Sequence, residues 1–169
     1  MEGGRCSKAP ERMILRAFVL SLATISASAL FAPADAADPF YLGTWKFQSA
    51  VVAPWADPSV KPDPSEKNGL MGKAVSIRPR AIIGPKVFAC KGPKYKLGNF
   101  TPNLLFQGAF DEMRERDKSV DPGKLAAALG FVGTSWKTLE TGCEIDWHFV
   151  DPTTAEVGLN DYVYTLKKQ

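Results

Sequence analysis

Residues 143–166 read CEIDWHFVDPTTAEVGLNDYVYTL. Cys143, Ile145, Trp147 and Phe149 fall on one side of an extended chain, and Glu144, Asp146 and His148 fall on the other. Alternation with a period of two is the mark of a strand that buries one face. Asp151-Pro152-Thr153-Thr154 then turns into Ala155, Val157 and Leu159, and Asn160-Asp161 turns again into Tyr162–Leu166. Three such runs joined by short turns read as an antiparallel meander.

Working back from the meander, more short runs bounded by breakers appear. Phe40–Val52 sets Trp45, Phe47 and Ser49 against Lys46 and Gln48. Gly72–Arg78, Val87–Lys91 and the apolar Leu104–Phe110 also read as strands, while Asp111–Asp117 is too charged to be buried. One helix is predicted, with Asp121 as N-cap, Pro122 at the first helical position and Gly130 past the end. Leu125 and Leu129 lie four apart on it and would dock it on the sheet. Ala53–Gly69 carries Pro54, Pro58, Pro62 and Pro64, which predicts a long loop of polyproline character. The expected fold is mainly β: a small antiparallel barrel or sandwich with one short α-helix.

The N-terminus reads differently. Ala17–Ala32 is uncharged and largely apolar, Arg12 and Arg16 precede it, and Ala34-Asp35-Ala36 follows. Charged start, apolar middle and small-x-small exit are the parts of a secretory signal. Residues 1–36 are therefore expected to be removed, with Met13 offering a tidier start, and Cys6 goes with them. The expected product is one exported, soluble domain, 37–169, periplasmic or secreted and without a transmembrane segment. It retains Cys90 and Cys143, which in an oxidising compartment read as one disulfide.

Of the 21 basic and 18 acidic residues, four and three lie in the leader, leaving a net charge of only +2. That balance does not call for nucleic acid. Residues 60–96 nevertheless hold nine basic residues against two acidic ones, whereas 97–166 hold five against eleven. Either neighbouring strands neutralise each other, or the domain has a basic and an acidic pole that suit a charged partner.

Chemistry-bearing residues are sparse. His148 is the only histidine, sits on the polar face and reads as an exposed or edge residue. Alternation puts Glu144 and Asp146 on one face, near Glu140; they fit an acid/base pair, and more simply salt bridges to the basic half. No glycine-rich phosphate loop, metal-ligand spacing or cofactor motif is present, so the sequence leans away from an enzyme and implies neither metal nor cofactor.

One constellation stands out. Gly43-Thr44-Trp45 opens the first strand of the exported part, and the chain ends in an aromatic strand followed by Lys167-Lys168. This resembles the lipocalin and wider calycin family, in which G-x-W closes the floor of a β-barrel. The resemblance implies a basic side chain from near the last strand over the Trp45 ring, Lys167 or Lys168, with Lys167 assigned to closure beside Gly43 and Trp45. It further implies a small apolar or amphipathic ligand lined or floored by Trp45, Phe47 and Trp147, with Trp55 in the Pro-rich loop at the mouth. The competing expectation is an interaction or inhibitor module that meets another exported protein through its segregated charge.

Overall fold

The computed structural model describes residues 39–169; the leader, the Met13 start, Cys6 and the cut after Ala36 lie outside the described residues. Nine strands form a single sheet: β1 (Gly43–Val52), β2 (Ala74–Arg78), β3 (Ala81–Ile83), β4 (Cys90–Lys91), β5 (Lys96–Phe100), β6 (Trp136–Glu140), β7 (Trp147–Asp151), β8 (Thr154–Leu159) and β9 (Tyr162–Lys168). Their spatial order is β4-β3-β2-β1-β9-β8-β7-β6-β5, and each neighbouring pair is antiparallel. The sheet curls into a half-barrel, the mainly-β architecture predicted from the period-two runs.

Cross-sheet contacts define the curl. Trp45 on β1 meets Trp147 on β7 at 6.2 Å between ring centroids, although β9 and β8 lie between them. Phe88, from the β3–β4 connection, reaches both Phe47 (5.1 Å) and Trp147 (6.2 Å). Side chains therefore fill the concave face: Trp45, Phe47, Ile77, Trp147, Tyr164 and Leu166 are all essentially inaccessible. β1 bends into this curve at a register shift between Phe47 and Ser49, opposite β9.

The convex face of β5–β9 is covered as well. A kinked 3-10 segment (Pro102–Gly108), α2 (Ala109–Arg116) and α3 (Pro122–Ala128) press Phe106, Phe110, Ala126 and Phe131 against Trp136 and Val163. α1 (Pro64–Leu70) lies on the other side of the sheet and adds Leu70 to the interior cluster. Its Glu66 accepts hydrogen bonds from the Asn160 amide (2.5 Å) and the Tyr164 hydroxyl (3.1 Å), which fastens it to the β8–β9 hairpin.

Among the described residues three helices thus replace the one expected. α3 has the predicted grammar: Asp121 accepts from the backbone N–H groups of Gly123 (2.8 Å) and Lys124 (3.2 Å), and Gly130 takes φ +89°. The same device starts α1, where Asp63 accepts from Ser65 N–H at 2.9 Å ahead of Pro64, so the Pro-rich segment ends in a helix. Leu104–Phe110 is not a strand, because Phe106 and Gln107 adopt left-handed φ of 50° and 58°. Val87–Lys91 supplies only Cys90 and Lys91 to the sheet, since Pro85–Ala89 closes as a turn through Phe88 N–H to Pro85 C=O (2.9 Å).

Cys90 and Cys143 form the expected disulfide, with their Cα atoms 6.6 Å apart. Cys90 lies on β4, one edge of the sheet, and Cys143 lies in the β6–β7 loop beside the opposite edge. The bridge spans the opening that pairing leaves between β4 and β5.

Candidate functional site

A cavity of about 630 Å³ opens where the disulfide crosses that gap. Ile82, Val87 and Phe88 form one wall, Ile145 and Trp147 the other, and both cysteines line it. The Pro85–Ala89 turn holds Phe88 inward against Trp147, and Thr141 braces the opposite loop by donating its hydroxyl to Ile145 C=O (3.0 Å). Lys86 and Glu144, both exposed, also border the cavity. An apolar body could rest on Trp147 and Ile145 while a polar end meets Lys86 or Glu144.

The residues expected to share one ligand site are distributed over three places. Trp147 lines this cavity, whereas Trp45 and Phe47 are embedded in the solid interior and border none of the cavities found among the described residues. Trp55 is not at the mouth. Its indole N–H donates to Asn160 C=O (2.8 Å) and its ring lies 5.2 Å from Phe106, on the convex side.

On β1, Trp45 donates its indole N–H to Tyr41 C=O (2.9 Å). The ammonium over its ring, 5.7 Å from the centroid, belongs to Lys168 rather than Lys167. The reason is the pleat: Leu166 and Lys168 point inward, while Lys167 points out and bonds the Thr154 hydroxyl. Gly43 makes room, because a Cβ there (φ +128°) would stand 3.1 Å from the Lys168 Cε. Lys168 also donates to Phe40 C=O.

The convex face carries an unexpected row of polar residues. Register places Thr138, His148, Glu156 and Thr165 side by side on β6, β7, β8 and β9. The helical cap covers them, so His148 is buried rather than exposed. Its Nε2 accepts the Phe106 backbone N–H (2.9 Å), so the proton sits on Nδ1, which donates to Thr138 Oγ1 (2.9 Å). Burial lowers its pKa from 6.5 to about 3, and the two hydrogen bonds occupy both ring nitrogens. Burial also raises the Glu156 carboxyl from 4.5 to about 8, against smaller opposing pulls from the Thr165 hydroxyl and Lys167.

No family model, no curated protein and no solved structure matches the chain. Site chemistry therefore rests on geometry alone. Glu144 and Asp146, expected on one face, point to different places because β7 begins only at Trp147. Glu144 borders the disulfide cavity, while Asp146 borders a second cleft of about 140 Å³ with Trp55, Phe106 and Gln107. Glu140 pairs with Lys96 across β5–β6 at 2.9 Å. Among the described residues no group of three or more His, Cys, Asp or Glu could hold a metal ion, and no helix is long and apolar enough to cross a membrane.

Sequence reasoning missed Phe88, Ile145 and Ile82 as cavity walls. Their only signal was proximity to Cys90 and Cys143, the two points that the bridge brings together.

Proposed function

We propose that this chain is an exported binding protein that holds a small apolar or amphipathic ligand in the cavity at the disulfide. The observation that carries the reading is the cavity itself, about 630 Å³ walled by Trp147, Phe88, Ile145 and Ile82. Small-molecule sites occupy about 300–1,000 Å³ and are mostly apolar with a few polar groups. Lys86 and Glu144 supply those groups here. The calycin likeness is supported by β1 pairing with β9 and by Gly43, Trp45 and Lys168 meeting at one end. The ligand in this reading sits at the open side, not on Trp45 and Phe47.

Val87→Trp tests it. Val87 is exposed at the rim, so a larger side chain fills the mouth without entering the core. The wild type is expected to retain a small molecule in native mass spectrometry and to bind an apolar fluorescent probe. The variant should lose both with its thermal midpoint unchanged. An empty wild type that ignores the probe sinks the proposal.

One observation favours a second reading, an interaction module for a charged exported partner. Of the ion pairs among the described residues, only Lys96–Glu140 joins the basic segment to the acidic one. The other three lie in and just after α2, so the two poles are left largely unneutralised. A partner held this way dissociates as salt rises, whereas retention of an apolar ligand does not respond.

A further inference from the structure

We infer that the convex-face cleft is a second binding site, for the primary ammonium group of a small amine. It lies between the cap and the sheet, about 140 Å³ in volume, with Trp55, Phe106, Gln107, Asp146 and Asn160 around it. A water molecule takes about 30 Å³ in the liquid, so the space suits about four heavy atoms.

Three observations give the site its chemistry. First, Asp146 borders the cleft half-buried, and none of the ion pairs among the described residues supplies it with a Lys or Arg. Burial and the nearby Glu140 both disfavour its charge, and only the Thr141 backbone N–H favours it. A bound cation restores the missing partner, while an anion adds to the repulsion.

Second, the aromatic wall is held in place. Trp55 is tied to Asn160 C=O (2.8 Å), and its ring and that of Phe106 both rest on Gly158. A Cβ at Gly158 would stand 3.0 Å from Trp55 and 3.1 Å from Phe106, so glycine permits the close seat. An indole face attracts ammonium groups, most strongly where water is scarce.

Third, the nitrogen donors of the other polar side chains at the cleft already have partners. His148 has both ring nitrogens bonded, and the Gln107 amide N–H donates to Glu144 C=O (2.6 Å). A hard metal ion would need several oxygen ligands, and the described residues offer no such cluster. An organic cation with one carboxylate and one ring face to satisfy it is what the cleft fits. The site is separate from the disulfide cavity, so it stands whether or not that cavity is filled.

The test is titration of the full chain with n-propylammonium chloride at constant ionic strength, read by calorimetry and by Trp emission. Trp45, Trp136 and Trp147 are buried and Trp55 lines the cleft, so a change in emission on titration reports chiefly on Trp55. Saturable binding is expected, with no saturation by n-propanol, the neutral analogue of similar size. Asp146→Asn should weaken binding about tenfold or more, the worth of a charged hydrogen bond, with the thermal midpoint held or raised because a desolvated charge has gone. Trp55→Leu should weaken the calorimetric affinity as well. Val87→Trp should leave amine binding unchanged, which separates this site from the proposed ligand cavity. Absence of saturation, an equal response to propanol, or wild-type affinity in Asp146→Asn would overturn the inference.

Discussion

Two adjacent lysines at the end of β9 have opposite roles because the side-chain period of a strand is two. Lys168 faces inward and caps the Trp45 ring, while Lys167 faces solvent. Lys168→Met is expected to lower unfolding stability by about 1 kcal/mol, the scale of a partly desolvated cation–π contact. Lys167→Met should stay within about 0.5 kcal/mol, and urea unfolding of the pair checks the contrast. His148 and Glu156 make a matching pair in pH. The unfolded histidine takes up a proton below its ordinary 6.5, but the folded one does not until about 3, so stability falls as pH drops through that range. The folded Glu156 keeps its proton up to about 8, whereas the unfolded one loses it near 4.5, so stability also falls as pH rises between those values. A thermal-midpoint profile should therefore crest between 4.5 and 6.5, where the two slopes oppose. Glu156→Gln should flatten the alkaline side alone.

At the scale of elements, caps and alternation were the readable signals. Asp121→Ala removes the acceptor for two α3 N–H groups and should cost about 1 kcal/mol; hydrogen exchange across residues 122–128 locates the loss. β7 and β8 were legible because inward Trp147, Phe149, Ala155 and Val157 alternate with His148 and Glu156, and β9 because a short β-branched and aromatic run follows a turn signal. β6 was not, since Trp136 and Thr138 are buried under the cap and Leu139 faces the interior. Its inner face also carries the exposed Lys137 beside the buried Leu139, so polar and apolar residues do not sort by face. The same cap explains the misreading of His148, whose polar character pointed to solvent while long-range packing supplied its partners. Leu104–Phe110 looked like a strand for a related reason: its apolar residues serve the cap, and nothing local announces the left-handed Phe106 and Gln107. Two consecutive non-glycine residues in that region cost about 1–3 kcal/mol each, and the Phe106 N–H bond to His148 helps hold them. Of the candidate site, Trp147 and the cysteines could be read from the sequence. The cavity walls could not, because they come from segments far apart in the chain.

Residues 39–169 form a sheet whose pairing leaves a gap between β4 and β5, and that gap is where chain, bridge and cavity coincide. β4 contributes two residues paired only to β3, so little hydrogen bonding holds that edge. Lys94 N–H donates to Thr141 C=O at 2.7 Å, which extends the β5–β6 ladder on one side of the gap, and the disulfide makes the covalent link across it. Closing a loop of 53 residues constrains the unfolded chain by ~4 kcal/mol in the loop-entropy model. The double substitution Cys90→Ser with Cys143→Ser should accordingly lower unfolding stability by about 2–5 kcal/mol. The loss should also be felt locally. With the bridge gone, β3–β4 and the 141–147 loop are the segments freed to open, while β1, β9 and β8, paired on both sides and filled by Trp45, Tyr164 and Val157, remain closed. Hydrogen exchange should therefore accelerate first in residues 81–91 and 141–147. Apolar-probe affinity should fall in the same variant, because both walls of the cavity belong to the freed segments. Uniform acceleration across all strands would mean that the bridge serves global stability alone and has no special hold on the cavity.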